Sequence, residues 1–141
     1  MKISISTPVN QDYLTVKKGF NSDLFEKLNP PFPPVKLLLF DGSEVGDMVS
    51  LELDFLLFKQ TWTSEITESE VSASEYYFVD VGVQLPFFLQ TWRHKHRILN
   101  LGDESIIRDE IEFTSPISWL LYPVLYLQFL YRKPIYKKIF A

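Results

Sequence analysis

The amino-acid sequence predicts an α+β fold in which a long, curved antiparallel sheet wraps a C-terminal helix. Two observations carry this prediction: alternating apolar and polar segments occupy residues 35–114, and an almost wholly apolar segment follows at residues 117–131. Long strands joined in sequence by short turns favour a strongly twisted sheet that curls on itself. The chain has 141 residues, enough to bury a core, and is predicted to form one domain over residues 1–141.

The N-terminal elements are predicted to be a strand and two short helices. Residues 1–6 alternate between polar and apolar side chains, which is typical of a strand. Thr7-Pro8 has the form of an N-cap followed by proline at the first helical position, and predicts a helix start. A second helix is predicted to begin within residues 21–23. The proline-rich run at 30–34 should end it, because proline lacks an amide donor.

The central part of the chain is predicted to be a meander of strands. Period-two alternation and intervening turn signals such as Asp41-Gly42-Ser43 support this assignment. The predicted strands cover residues 35–40, 46–58, 60–67, 71–83, 87–99 and 104–114.

The last element is predicted to be a helix that begins at Ser115-Pro116 and is kinked or divided by Pro134. The resulting order is strand, two helices, six strands and one long helix. This order is the helix-grip arrangement, which tends to leave a cavity between the sheet and the helices. The last helix is apolar on more than one side, so one stripe should close the sheet. The other stripe is available to a ligand, a second subunit or a membrane surface.

Composition excludes several classes of function. The net charge of −4 argues against nucleic-acid binding through an overall positive field. Without cysteine the chain can have no disulfide, thiolate nucleophile or cysteine metal site. The apolar run at 117–131 is too short to span a membrane, and the N-terminus lacks the apolar run of a secretion signal, so a cytoplasmic location is predicted. Aromatic residues make up 16% of the chain, which suits a bulky core or the lining of an apolar cavity.

The segment at residues 85–97 is the most informative for function. Strand alternation places Trp92, His94 and His96 on one face and three basic side chains on the other. The basic face should contact water, so both histidines of the chain are predicted to point into the concave interior.

The following strand provides a carboxylate partner for these histidines. If Leu101-Gly102 forms a two-residue hairpin loop, His94 lies opposite Asp109 and His96 lies opposite Ile107. Opposed Cβ atoms in an antiparallel pair are only about 4.5–5.5 Å apart, close enough for an imidazole–carboxylate hydrogen bond.

Three interpretations of this group are open. It is a structural His–Asp pair that fixes strand register, a polar anchor at one end of an apolar pocket, or a metal or acid–base site. Two histidines and one carboxylate can form a facial triad for ferrous iron or zinc. No metal or cofactor is assigned from the sequence alone.

Other residues are candidates for ligand contacts. Asp80 shares its strand face with Tyr76 and Phe78. It is either a second inward polar group near the strand end or a solvated residue at the mouth of the pocket, and the second interpretation is preferred. Trp62 is interpreted as a core residue in preference to a surface on which a ligand stacks. The full set of candidate binding residues is Trp62, Phe78, Asp80, Trp92, His94, His96, Asp109, Ile111, Phe113, Tyr122 and Tyr126.

Several short motifs, taken together, resemble those of the SRPBCC superfamily, in particular its small bacterial ligand-binding members, often labelled polyketide cyclase/dehydrase-like or START-like. These motifs are Leu28-Asn29-Pro30-Pro31, Phe78-Val79-Asp80, Pro86-Phe87, Trp92-Arg93-His94-Lys95-His96, Asp109, Phe113-Thr114-Ser115-Pro116 and Tyr131-Arg132. The resemblance implies a helix-grip fold with a deep hydrophobic cavity. It implies no particular activity, because proteins of this fold include carriers, receptors and cyclases.

The leading hypothesis is binding or carriage of a small hydrophobic or lipid-like molecule in an internal cavity, without catalysis. The alternative is an enzyme of the cyclase, dehydratase or hydrolase kind that uses His94 or His96 with Asp109 as acid and base. A partner-binding or dimer-forming module that uses the surface of the last helix is a third alternative.

Overall fold

A computed structural model describes residues 1–141. It contains one seven-stranded antiparallel sheet with the strand order β1-β7-β6-β5-β4-β3-β2. The predicted α+β helix-grip fold is confirmed, with the last helix in two parts. The elements are β1 (Lys2–Val9), α1 (Tyr13–Lys18), α2 (Ser22–Lys27), β2 (Val35–Phe40), β3 (Met48–Asp54), β4 (Lys59–Val71), β5 (Glu75–Gln84), β6 (Thr91–Asn100), β7 (Ser105–Thr114), α3 (Ser118–Leu130) and α4 (Arg132–Ile139).

The predicted helix start at Thr7-Pro8 is wrong, because β1 continues through both residues to Val9. β1 is an edge strand, where proline is tolerated because its missing N–H need not face a partner strand. The first helix instead has Asp12 as its N-cap, and the Asp12 carboxylate accepts a hydrogen bond from the Thr15 amide at 3.1 Å. The second predicted start is confirmed, since Asn21 caps α2.

The C-terminal helix is divided, as the position of Pro134 predicts. α3 ends at Leu130 and α4 begins at Arg132. Pro134 lies in the first turn of α4, and without an N–H it cannot donate to the Leu130 carbonyl as a continuous helix would require. The start of α3 differs from the prediction: it begins at Ser118, and Ser115 instead accepts a hydrogen bond from the Ile117 amide at 3.1 Å. None of the helices combines the length and apolar character needed to cross a membrane.

The concave face of the sheet carries two separate apolar clusters. Helices α1, α2 and α4 cover one of them, through side chains such as Val16, Leu24 and Tyr136. Helix α3 covers the other through Leu121, Leu125 and Phe129. On β6, Ile98 belongs to the first cluster and Trp92 to the second, so His94 and His96 lie between the two.

Candidate functional site

The two histidines point into the interior, as strand alternation predicts. His94 is 3% exposed and His96 is 5% exposed, and the adjacent Trp92 is also buried. On the opposite face, the Arg97 guanidinium forms ion pairs at 2.7 Å with Glu75 and with Glu110. The outer face of β6 is therefore held by charge pairs across neighbouring strands, and its inner face holds the imidazoles.

The predicted register between β6 and β7 is wrong by two residues. The loop covers residues 101–104, so His96 lies opposite Asp109 and His94 lies opposite Ile111. Gly102 adopts φ +84°, and its amide donates to the Asn100 side chain at 2.9 Å, which stabilises the longer loop. A two-residue shift keeps every side chain on its predicted face, because the strand period is two.

The predicted His94–Asp109 contact forms in spite of this shift. His94 Nε2 and Asp109 Oδ1 are 2.8 Å apart, and both side chains are buried. The imidazole reaches diagonally across the strand pair, a distance within the range of long side chains on adjacent strands.

The interpretation of Asp80 as a solvated residue at the mouth is wrong. β5 pairs with β6, so Asp80 lies directly opposite His94 in the middle of the sheet, and its side chain is only 13% exposed. Asp80 Oδ2 is 2.6 Å from His96 Nε2 and 3.6 Å from His94 Nδ1. Asp80 Oδ1 accepts a hydrogen bond from the Trp92 indole at 3.1 Å. Asp80, His94, His96 and Asp109 together form what we call the polar cluster.

The rings of the polar cluster are stacked. The His94 and His96 centroids are 3.6 Å apart, and Phe78 stacks on the other side of His96 at 4.1 Å. His96 Nδ1 is buried without a hydrogen-bond partner. The stack limits how far either imidazole can rotate, so the nitrogens that face Asp80 are held in place.

Arg132 is a site residue that the sequence analysis does not include among its binding candidates. It is the first residue of α4, and its Nη1 lies 3.6 Å from Asp109 Oδ1 while the guanidinium covers the Phe129 ring at 4.3 Å. Its side chain is 18% exposed, and Nη1 has no hydrogen-bond acceptor. The signal available in the sequence was a pair of cations, Arg132 and Lys133, that follows an apolar helix, because such charges must be paired or solvated.

Burial and pairing shift the pKa values of the cluster in a consistent way. Burial alone would raise the pKa of Asp109, but the hydrogen bond with His94 and the charge of Arg132 outweigh it and lower that pKa. Burial also opposes ionisation of Asp80, yet contacts with His96, His94 and Trp92 lower its pKa. Burial, together with the nearby His94, lowers the pKa of His96 to about 4 despite the carboxylate of Asp80. Near neutral pH both carboxylates are therefore charged and His96 is neutral.

An apolar cavity of about 360 Å³ lies between α3, the β2–β4 side of the sheet and the proline-rich segment after α2. Arg132 is the only charged residue in its lining. Its apolar lining includes Leu28, Phe32, Val35, Leu51, Leu53, Phe55, Trp62, Phe87, Phe88, Ile117, Leu120, Leu121, Val124, Leu125 and Phe129.

A smaller cavity of about 100 Å³ lies beside the polar cluster and is lined by Asp80, His94 and His96. Trp62 and Arg132 line both cavities, so the two adjoin. Trp62 also contacts Trp92 edge to face, with ring centroids 4.6 Å apart. The interior thus has a large apolar chamber and, adjoining it, a smaller one whose wall includes Asp80, His94 and His96.

The structure brings together only part of the predicted binding set. Trp62, Phe78, Asp80, Trp92, His94 and His96 line the smaller cavity, and Asp109 joins them through His94. The remaining four candidates line neither cavity: Ile111 and Phe113 are packed in the core, and Tyr122 and Tyr126 stack on each other.

Helix rotation explains the error at the two tyrosines. α3 directs Leu121, Leu125 and Phe129 to the sheet, and its residues Val124 and Gln128 also line the larger cavity. With both helical sides apolar, the sequence did not indicate which stripe faced inward.

Comparisons with known proteins give the fold and no closer relationship. No protein-family model and no curated protein matches the chain. A protein from Arthrobacter aurescens has a similar structure, with a TM-score of 0.67 and 14% identity over 95% of this chain and 81% of that one. Truncated norcoclaurine synthase from Thalictrum flavum has a TM-score of 0.63 at 12% identity, covering 88% and 82%. The ZhuI aromatase/cyclase from Streptomyces sp. R1128 has a TM-score of 0.57 at 17% identity, covering 82% and 68%.

These similarities span most of the chain at low sequence identity, so they establish architecture and leave activity open. The shared architecture is the one that the sequence motifs implied. The resemblance is confirmed at the level of the fold: the chain has the same helix-grip architecture as these proteins.

Proposed function

We propose that this chain binds a small hydrophobic or lipid-like molecule in the larger cavity. The observation that carries the proposal is a cavity of about 360 Å³ whose lining has a single charged residue, Arg132. Ligand pockets typically measure about 300–1,000 Å³, with mostly apolar walls and a few polar groups that orient the ligand. The chain meets each of these conditions.

The position of the polar groups indicates how such a ligand would be oriented. Arg132 and Trp62 lie where the larger cavity meets the smaller one, and the polar cluster lies beyond them. The apolar body of the ligand would occupy the space under α3, and its polar atoms would face Arg132. A ligand with polar groups at both ends fits less well, because the remaining walls have few partners for them.

The outer end of this cavity is lined by exposed apolar side chains. Phe32 and Phe87 belong to the lining and are largely exposed, and Leu56 and Leu57 next to Phe55 are almost fully exposed. Exposed apolar groups of this size are costly in water unless they serve a contact. They support entry of an apolar ligand from this side.

The test is titration with Nile red, a neutral apolar dye, against the wild-type chain and two variants of α3. Val124→Trp fills part of the cavity and should weaken dye binding at least tenfold. Leu127→Trp, one turn away, changes a side chain that is 64% exposed and outside the lining, and should leave affinity unchanged. Equal affinity in both variants would contradict binding in this cavity. If Val124→Trp alone weakens dye binding, native mass spectrometry of protein purified from its source gives the mass of the natural ligand.

A second candidate function is acid–base catalysis of the cyclase, dehydratase or hydrolase kind. Asp109 bonded to His94 Nε2 can hold that imidazole in one tautomer, with its other nitrogen directed toward Asp80 and the smaller cavity. Two proteins of similar fold are named an aromatase/cyclase and a norcoclaurine synthase. With a substrate in hand, His94→Gln should abolish turnover while binding persists; equal loss of both would favour simple binding.

A homodimer through α3 and a cytoplasmic site of action also remain proposals. α3 has exposed apolar side chains on its outer face, among them Trp119 and Leu127. Sedimentation velocity over a hundredfold range of concentration tests the dimer. A sedimentation coefficient that does not change with concentration would exclude it.

A further inference from the structure

Three potential metal ligands converge next to the smaller cavity. One ligand atom from each of Asp80, His94 and His96 lies within 4.8 Å of the others. The three residues come from two adjacent central strands, β5 and β6, which hold their backbones in fixed register. Two imidazoles and one carboxylate form a donor set typical of zinc and ferrous sites that retain open coordination positions.

The distances are close to those of a tetrahedral site. Bonds of about 2.1 Å place neighbouring ligand atoms about 3.4 Å apart. Asp80 Oδ2 and His94 Nδ1 are already 3.6 Å apart. Asp80 Oδ2 and His96 Nε2 are 2.6 Å apart, in a hydrogen bond that an ion would replace. The Asp80–His96 pair would have to separate by less than about 1 Å, and the ligand atoms of His94 and His96 lie within 4.8 Å of each other.

The residues around the three ligands have the arrangement that supports metal ligands in proteins. Asp109 contacts the other nitrogen of His94 at 2.8 Å, and the Trp92 indole donates to the other oxygen of Asp80 at 3.1 Å. A carboxylate behind a ligating imidazole fixes its tautomer and raises its basicity. Arg132, 3.6 Å from Asp109, supports that carboxylate in turn.

Charge also favours a cation at this place. An imidazole ligates a metal in its neutral form, and with both imidazoles neutral the interior holds two carboxylates against one guanidinium. A divalent ion would offset that excess, whereas an anionic ligand would increase it. The cavity of about 100 Å³ beside the three residues has space for water or a ligand atom to complete the coordination.

We propose that Asp80, His94 and His96 bind one divalent transition-metal ion, with Asp109 and Trp92 as positioning residues. The proposal assigns Asp80 as the carboxylate ligand, and Asp109 to the outer position behind His94. It does not depend on binding of an apolar molecule in the larger cavity, since the two sites use different walls apart from their shared boundary.

The test is calorimetric titration of Zn²⁺ into protein made without a polyhistidine tag and freed of metal by dialysis against a chelator. The expected result is one Zn²⁺ per chain. Asp80→Asn should weaken binding at least a hundredfold, and Asp103→Asn, an identical change in an exposed loop, should not alter it. Asp109→Asn should retain the stoichiometry with affinity reduced about 10- to 100-fold, as expected for an outer partner.

A second readout distinguishes this site from surface binding. Co²⁺ in a four- or five-coordinate site of nitrogen and oxygen ligands gives visible absorption bands, which His96→Gln should remove. Near-UV circular dichroism identifies any variant that fails to fold. Absence of stoichiometric Zn²⁺ binding by the folded wild-type chain overturns the proposal, as does unchanged affinity in a folded Asp80→Asn variant. Nile red titration of the metal-free protein tests the larger cavity separately.

Discussion

The two halves of the interior differ in how completely they are filled. Around β5–β7, side chains pack and hydrogen-bond in layers: Ile98 and Ile107, then His96 and Asp109, then Trp92 and Phe113. Around β2–β4 the walls are apolar but the space between them is open, about 360 Å³ in all. The first region specifies one geometry, and the second can accept guests of different shape.

The sheet itself supports this difference. Strands β5, β6 and β7 pair with one another continuously, with β6 and β7 matched over ten residues each, whereas β4 shifts register against β5 at two places. β2 is an edge strand whose pairing with β3 shifts register between Leu37 and Leu39. A bulge at a sheet edge bends the strand and leaves part of the ladder unpaired. The polar end is therefore built on strands β5–β7, which pair with one another in continuous register, and the apolar end on β2–β4, where the register shifts occur.

The largest expected effect is in the filled region. Phe113→Ala should lower the free energy of unfolding by about 3–5 kcal/mol, because a buried ring is replaced by a void. Urea unfolding followed by tryptophan fluorescence measures this change. A loss below about 1 kcal/mol would show that this half is as loosely packed as the other.

Removal of the buried carboxylate ranks next. Asp109→Ala should lower the free energy of unfolding by about 3 kcal/mol. His94 loses its hydrogen bond, and the largely buried Arg132 guanidinium loses the nearby carboxylate of Asp109. The double variant Asp109→Ala with Arg132→Met should regain part of the loss. Strict additivity of the two single changes would contradict this coupling.

Acidification should destabilise the same region. The pKa of His96 is lowered to about 4 in the folded chain, from 6.5 when unfolded, so the unfolded chain binds more protons between these values. The contribution of His96 to the free energy of unfolding is therefore fully present above about pH 6.5 and decreases as the pH falls toward 4. Each pKa unit corresponds to about 1.4 kcal/mol, which gives a loss of about 2 kcal/mol at pH 5.

Urea unfolding at pH 7.5 and pH 5, with a chelator present, measures this loss. His96→Gln should flatten the dependence in that window. If the free energy of unfolding of the wild-type chain does not change between these pH values, the pKa of His96 is not lowered by folding. Below pH 4 the lowered pKa values of Asp80 and Asp109 should cause further loss, because those carboxylates stabilise the folded chain only while charged.

The smallest effect on stability is expected in the open region. Leu120→Ala should lower the free energy of unfolding by less than about 1 kcal/mol, because this side chain lines the cavity and is half exposed. The same variant should weaken Nile red binding severalfold. A large stability loss with unchanged dye affinity would reverse the comparison between the two halves.

Much of the fold was predictable from local pattern. The order of elements, the inward row of Trp92, His94 and His96, and the division near Pro134 all follow from side-chain period or proline chemistry. Errors occurred where a local signal had a second solution. Thr7-Pro8 suits a helix start, but it also suits an edge strand, and only pairing with β7 decides between them.

The side-chain pattern along the chain was enough to predict the fold class, the apolar character of the interior and the face on which each β6 side chain lies. Tertiary packing was needed to bring Asp80 to the histidines, to set a β6–β7 loop two residues longer than predicted, and to leave Tyr122 and Tyr126 outside the lining of both cavities. The two groups of features differ in the sequence separation of the residues that specify them. Alternation depends on adjacent residues, whereas register, helix rotation and the meeting of β5 with β6 depend on side-chain packing between segments far apart in the chain.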